Sequence, residues 1–221
     1  VAAAAYRAGA KLEEKETGYT HDYTRKRGVI YSEIFLPANA PQEYQNREIL
    51  WNEVQKVEKK SDAQLAREIE VALPVELSRE EQITLLQKYI AENFTSAGMC
   101  ADMAIHEKHV DGKTVLHQNP HAHILLTTRE IDPEGFTTKN RDWNAVEVLE
   151  GWREAWAQDA NLALELAGHA ERIDHRTLEA QGIDREPTKA IDDIVEKITV
   201  LAAKMSQVSG PEVCDPHEQP G

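Results

Sequence analysis

Apolar positions along this chain switch between helical and alternating spacing, and the switches mark its elements. The opening run, Val1 to Glu14, is alanine-rich with Gly9 as its breaker, and it predicts a helix. Gly28 to Leu36 is β-branched and aromatic up to Pro37, which predicts a strand. Tyr44, Ile49, Trp51, Val54 and Val57 recur near helical spacing and predict a helix over Pro41 to Lys60. Arg67 to Leu73 alternates strictly: Ile69, Val71 and Leu73 face one side, Glu68, Glu70 and Ala72 the other, and Pro74 ends the strand. Ser78 and Glu81 form a capping box that starts a helix reaching about Phe94. Two strands follow, near Cys100 to Glu107 and His121 to Arg129, joined by a polar loop that contains Asp111-Gly112. Asn144 to Leu166 is a long amphipathic helix, expected to bury Val148, Trp152, Trp156, Leu162 and Leu166 and to close at Gly168. A turn over Thr177 to Gln181 and a helix over Thr188 to Met205 complete the ordered part.

Helices interleaved with a hairpin fit an α+β fold with a mainly antiparallel central sheet flanked by helices. The expected division is one domain over residues 1–206 and a disordered tail over 207–221, rich in Pro, Gly and Glu. The first helix starts without a cap or an initiator methionine and reads as the middle of an element, so upstream residues are expected to have been removed. There is no internal repeat and no glycine-rich dinucleotide or phosphate-binding loop pattern.

At 221 residues, 41% hydrophobic and 29% charged, the chain can bury a full core. No apolar run approaches the roughly 20 residues that span a bilayer. Cys100 and Cys214 cannot make a disulfide framework, so the expected protein is reduced and cytosolic. The net charge of −14 argues against a nucleic-acid partner, yet Arg25-Lys26-Arg27 and the stretch from Lys139 to Arg141 are locally basic and leave room for a basic groove.

The candidate chemistry lies in three histidines. His121 and His123 are two apart at the start of a strand, so they point the same way about 7 Å apart. His106 ends the preceding apolar run, and antiparallel pairing of the two runs brings it to the same face. Three neutral imidazoles on two strands would form a transition-metal site with open coordination positions. The bland alternative is three strand-end histidines that only hydrogen-bond; His109 and His117, in the loop, are second-choice ligands. Glu68 or Glu70 could orient a metal-bound imidazole or act as a base, or could simply be a solvated strand face. Tyr6 reads from periodicity as a core anchor, and its alternative is a nucleophile.

The motifs, taken in order, resemble the relaxases of mobilisable and conjugative plasmids, specifically the MobA/MobL (MOBQ) group of the HUH endonuclease superfamily. The resemblance runs from Ala2 to about Lys189. Its carriers are Ala3-Ala4-Ala5-Tyr6-Arg7, Tyr31-Ser32-Glu33-Ile34-Phe35-Leu36-Pro37, Leu50-Trp51-Asn52, Ala66-Arg67-Glu68-Ile69 and Ala72-Leu73-Pro74. Asn119-Pro120-His121-Ala122-His123 with Thr127-Thr128-Arg129, Arg141-Asp142-Trp143-Asn144, Trp152-Arg153, Asp174-His175-Arg176 and Pro187-Thr188-Lys189 follow. Single motifs are unspecific; the ordered set is specific.

The resemblance implies Tyr6 as the nucleophile, His106, His121 and His123 as metal ligands, and Glu68 as an active-site acid supporting them. It implies a divalent ion, magnesium or manganese with zinc or nickel as alternatives. The implied substrate is single-stranded and hairpin DNA at a transfer origin, nicked through a 5′-phosphotyrosyl bond and able to be rejoined, with accessory relaxosome and coupling proteins as partners. Arg25, Lys26, Arg27, Lys139 and Arg141 are the expected DNA-backbone contacts. Two departures stand out: the strand that usually precedes the tyrosine helix is missing, and the loop from His106 to His121 is longer than usual. Competing readings are a rolling-circle replication initiator, a metal-dependent hydrolase without a covalent intermediate, and a non-enzymatic origin-binding module.

Overall fold

In a computed structural model of the chain, residues 1–59, 63–107 and 119–184 are described. The first helix, α1 (Ala2–Ala8), is much shorter than composition predicts. Gly9 adopts the left-handed conformation (φ 60°, ψ 36°) and caps it, and its missing Cβ would meet Val29 Cγ2 at 3.2 Å. The rest of the expected helix is a hairpin instead: β1 (Lys11–Glu14) pairs antiparallel with β2 (Tyr19–Asp22). The alanine-rich composition concealed this switch because the left-handed residue that stops the helix is its single glycine.

The central sheet contains β3 (Val29–Phe35), β4 (Arg67–Ala72), β5 (Ala101–His106) and β6 (His121–Leu126) in the order β3-β5-β6-β4, with every neighbouring pair antiparallel. The expected hairpin of β5 and β6 is therefore its centre. On one face Met103, Ile105, Ala122, Ile124 and Leu126 pack against α3 (Arg79–Ile90), the helical turn Ala91–Thr95 that extends it and α4 (Val146–Leu166), through Leu85, Leu86, Tyr89, Phe94, Trp152 and Trp156. On the other face Ile34 and Leu125 meet Ala4 and Ala5 of α1 and Leu50, Trp51 and Val54 of α2 (Arg47–Val57). Helices on both faces explain why every residue of β5 is buried. The observed fold is α+β with a mainly antiparallel central sheet flanked by helices, as expected.

Local chemistry sets the remaining boundaries. The predicted helix over Pro41 to Lys60 splits into a 3-10 turn (Gln42–Gln45) and α2, because Asn46 leaves helical geometry to cap α2, its side chain accepting from the backbone N–H of Glu48 and Ile49 at 2.9 and 3.2 Å. The Ser78–Glu81 capping box forms as expected. In α4 the buried stripe is Trp152, Trp156, Ala157, Ala160 and Leu164, whereas Leu162 and Leu166 are 49% and 80% exposed. Small residues at Ala157 and Ala160 put that row on the core and rotate the two leucines off it. The sequence reading also missed the hairpin of β7 (Arg129–Asp132) and β8 (Gly135–Lys139), whose turn is set by Asp132 accepting from the N–H of Glu134 and Gly135 at 2.9 and 3.1 Å. These elements belong to a compact unit spanning Val1–His175. In the second unit, Gln181 N–H donates to Thr177 O at 3.0 Å, the predicted turn; the expected Thr188–Met205 helix and the 207–221 tail lie outside the described residues.

Asp102 ties α2 to the sheet. Its carboxylate, 4% exposed, accepts from Arg47 Nε at 2.9 and 3.0 Å, from Arg47 Nη2 at 2.8 Å and from Trp51 Nε1 at 2.8 Å. Asp102→Ala leaves a guanidinium and an indole N–H unpaired next to the core and is expected to cost about 3–5 kcal/mol. The measurement is the urea unfolding midpoint at unchanged m-value.

Candidate metal and tyrosine site

Register, together with side-chain alternation, gathers the site. His106 pairs across from His121, and His123 lies between Ala104 and Glu70, so the three imidazoles and the carboxylates of Glu68 and Glu70 share one face of the sheet. Ring centroids stand 4.7 Å apart for His106 and His123, 5.1 Å for His121 and His123, and 5.6 Å for His106 and His121. One ring nitrogen from each lies within 4.8 Å of the others. His106 and His123 are buried and His121 is half-buried, so the cluster opens on the His121 side. Asn119 enters β6 with φ 42°, a conformation asparagine tolerates better than most residues. His109 and His117, the competing ligands, lie outside the described residues.

Each imidazole is oriented by an acceptor. His121 Nδ1–H donates to Asn119 O at 2.9 Å, His123 Nδ1–H to Glu68 Oε1 at 2.7 Å, and His106 Nε2–H to Arg7 O at 2.6 Å. Since carbonyl and carboxylate oxygens only accept, these contacts put a proton on the bonded nitrogen of each ring, so that in a neutral ring the opposite nitrogen is the one able to ligate. Burial, opposed only partly by the bond to Arg7 O, pushes His106 down to about 4, so it is neutral and ready to ligate at physiological pH. The donor set fits a divalent transition ion: three imidazoles, clustered, each turned by an outer partner.

Glu68 is the outer partner shared most widely. Arg7 reaches it with Nε at 2.6 Å from Oε1 and Nη2 at 3.0 Å from Oε2, while Glu70 Oε2 is 3.9 Å from His123 Nδ1. Burial alone would raise the Glu68 carboxyl, but the hydrogen bonds from His123 and Arg7 and the charge of Arg7 prevail and hold it down at about 2. Such a carboxylate orients a ring well and is a poor proton acceptor.

Arg7 sits next to Tyr6, so its bonds tie α1 to the histidines. The core-anchor reading of Tyr6 does not hold: Ala4 and Ala5 are the buried residues of α1 and Tyr6 is 43% exposed. Its ring meets the edge of Tyr23 at 5.2 Å between centroids, and Lys26 Nζ lies 3.7 Å from its centroid. Of the expected DNA-contacting cations, Arg25, Arg27 and Arg141 are exposed, Lys26 is half-buried against Tyr6, and Lys139 Nζ is engaged by Glu58 at 3.2 Å and by Gln64 O at 2.8 Å. Sequence reasoning missed Arg7. Its one signal was its place in the alanine-tyrosine-arginine run, which says nothing of a partner 61 residues away.

Residues 1–199 match the model of the MobA/MobL family. Mobilization protein MobL of Acidithiobacillus ferridurans is 38% identical over 218 residues, covering 85% of this chain and 56% of that protein. Conjugal transfer protein TraA of Rhizobium radiobacter is 35% identical over 219 residues, covering 85% of this chain and 19% of that protein. The chain thus spans about half the length of the first relative and about a fifth of the second. A solved structure described as "Molecular Basis of Vancomycin Resistance Transfer in Staphylococcus aureus" superposes with a TM-score of 0.71 at 33% identity, covering 80% of this chain and 90% of that one.

Two outcomes are expected. Removing the Glu68 carboxylate with Glu68→Ala should weaken Mn²⁺ binding, read by titration calorimetry, by about 10–100-fold, and His123→Ala should abolish it. Acid should also destabilise the metal-free chain in two windows. His106, at about 4 when folded against an ordinary 6.5, binds its proton more readily unfolded, so stability falls as pH drops from 6.5 towards 4. Glu68, at about 2 against 4.5, stabilises the fold above 4.5 and loses that contribution as pH falls towards 2. Tm measured against pH should decline through both windows, and Glu68→Gln should flatten only the lower one.

Proposed function

The chain belongs to the MobA/MobL family, and on that premise we propose that it nicks one strand of plasmid transfer-origin DNA by transesterification and can rejoin it, so as to initiate conjugative transfer. The observation that carries this reading is the bonding of the residue next to Tyr6 to both the His106 and the His123 side of the imidazole cluster.

Tyr6 is the nucleophile of the reaction. Its phenol oxygen forms a bond to the scissile phosphorus as the bond from phosphorus to the 3′-oxygen breaks, leaving a 5′-phosphotyrosyl link and a free 3′-hydroxyl. The phenol gives up one proton and the departing 3′-oxygen gains one, so the step is neutral overall and conserves a phosphodiester. That conservation is what allows the reverse step to reseal the strand. His106, His121 and His123 would hold the divalent ion, and such an ion, when bound, withdraws charge from a non-bridging phosphate oxygen. Their imidazole donors favour manganese or another transition ion over magnesium. Glu68 and Arg7 keep the rings and α1 in register.

The DNA would lie over the face that carries the histidines, entering on the open His121 side. Exposed Arg25, Arg27 and Arg141 are the proposed backbone contacts, and Lys26 and Lys139 have the internal partners described above. Accessory relaxosome and coupling proteins are the proposed protein partners, in the bacterial cytoplasm. No helix among the described residues is long and apolar enough to cross a membrane.

Tyr6→Phe is expected to eliminate the SDS-resistant protein–DNA complex formed with a 3′-labelled transfer-origin oligonucleotide, while DNA binding stays near wild type. An SDS-resistant complex with the Phe variant would refute the nucleophile, and undiminished cleavage without any covalent complex would point to a hydrolase.

A further inference from the structure

Lys26 lies in the segment between β2 and β3, where its backbone N–H donates to Tyr23 O at 2.8 Å and turns the side chain back over α1. Its ammonium makes two contacts there, both with one residue: Nζ donates to the backbone oxygen of Tyr6 at 2.9 Å and stands 3.7 Å from the centroid of the Tyr6 ring. Tyr23, from the same segment, meets that ring edge-on with an interplanar angle of 87°. The Tyr6 ring is exposed on a seven-residue helix, and its further neighbour, the Arg7 guanidinium, lies 5.4 Å from its centroid against 3.7 Å for Lys26 Nζ. A cation over the face and an aromatic edge at the side restrain the ring.

We propose that Lys26 is a positioning residue for the proposed nucleophile, a clamp that holds the Tyr6 ring by its face and the end of α1 by a carbonyl, and not a DNA-phosphate contact. The inference rests on the reading of Tyr6 given above. The clamp requires the charged ammonium. The groups facing it are the ring and carbonyl of Tyr6 and the guanidinium of Arg7 from α1, the Glu68 carboxylate from β4, His106 from β5, and Tyr23 from its own segment. Burial first and the Arg7 charge second, opposed in part by Glu68, hold Lys26 down at about 8, so the clamp is charged below that pH and released above it.

The test uses the full chain, a 3′-labelled single-stranded oligonucleotide spanning the cognate transfer origin, and single-turnover formation of the covalent complex. Lys26→Met keeps the aliphatic stem and removes the charge; Lys26→Arg keeps a charge at every working pH. Lys26→Met is expected to slow complex formation by about 10–100-fold, the scale of a misplaced reacting group, with the DNA dissociation constant and its salt dependence unchanged. Lys26→Arg should recover most of the rate. The ratio of wild-type to Lys26→Arg rates should be flat below pH 8 and fall as pH rises through about 8.

Wild-type rates for Lys26→Met, with Tyr6→Phe inactive, would overturn the clamp and leave the nucleophile standing. Weaker DNA binding with a salt slope smaller by about 1 would make Lys26 a phosphate contact and also overturn it. A covalent complex with Tyr6→Phe would instead remove the underlying reading. Should Lys26→Met not fold, Lys26→Gln takes its place with the same readouts: wild-type rates of complex formation for it overturn the clamp.

Discussion

The architecture of the site depends on one shared carboxylate. Glu68 projects from β4 and accepts from His123 on β6 and from Arg7 on α1, so three elements distant in sequence meet on its two oxygens. A half-buried carboxylate loses hydration, and here a guanidinium and an imidazole N–H replace it with directional bonds. The same geometry decides chemistry: a carboxyl held at about 2 stays ionised through the whole biological range and acts by orientation, not by taking protons. Sharing also makes the site interdependent. Loss of Glu68 would free the ring of His123 and simultaneously leave the Arg7 guanidinium without its partner.

What the sequence disclosed, it disclosed through periodicity. Strict alternation in Arg67 to Leu73 put Glu68 and Glu70 on one face, and two-residue spacing put His121 beside His123; antiparallel pairing with His106 then followed from two adjacent apolar runs. These are consequences of the strand period, and they held. The failures share a cause as well. Gly9 turned an alanine-rich helix into a hairpin, Asn46 divided another helix, and Asp132 made a turn between two strands too short to advertise themselves. Each is a side-chain or backbone-conformation effect of a single residue, invisible to averages over a window. Leu162 and Leu166 misled for a different reason: packing against α3 chose the alanine row of α4, and no one-helix pattern contains its neighbour. Arg7 and Lys26 were unreadable in the same sense, since their meaning is a contact made across the fold.

The acidic balance of the chain, −14, bears less on a polyanionic substrate than it first suggests. Exposed charges are screened over a Debye length of about 8–10 Å, so a phosphate at the site responds to its neighbours and not to the total. Of the two carboxylates on the histidine face of β4, Glu68 is engaged by Arg7, and Glu70, half exposed, stands 3.9 Å from His123 Nδ1. Arg25 and Arg27 have exposed side chains in the segment that carries Tyr23 and Lys26, two residues packed on the Tyr6 ring. Local composition therefore outweighs net charge in reading this surface.

The least robust element by length is the one that carries the tyrosine. Isolated helices shorter than about 12–15 residues are marginal in water, and α1 has seven. Its stability must come from outside: Ala4 and Ala5 are buried against α2 and the sheet, and three carbonyls of its last turn, those of Ala5, Tyr6 and Arg7, are taken by donors. Ala10 and Gly9 N–H satisfy Ala5 and Tyr6, Lys26 Nζ also bonds Tyr6 O, and His106 Nε2 bonds Arg7 O. A side chain of the imidazole cluster is thus a cap for the helix beside it. Ordering α1 fixes the His106 ring, and fixing that ring holds the end of α1, so the tyrosine and the imidazoles form as one cooperative unit and not as a rigid metal cradle with a loose arm attached.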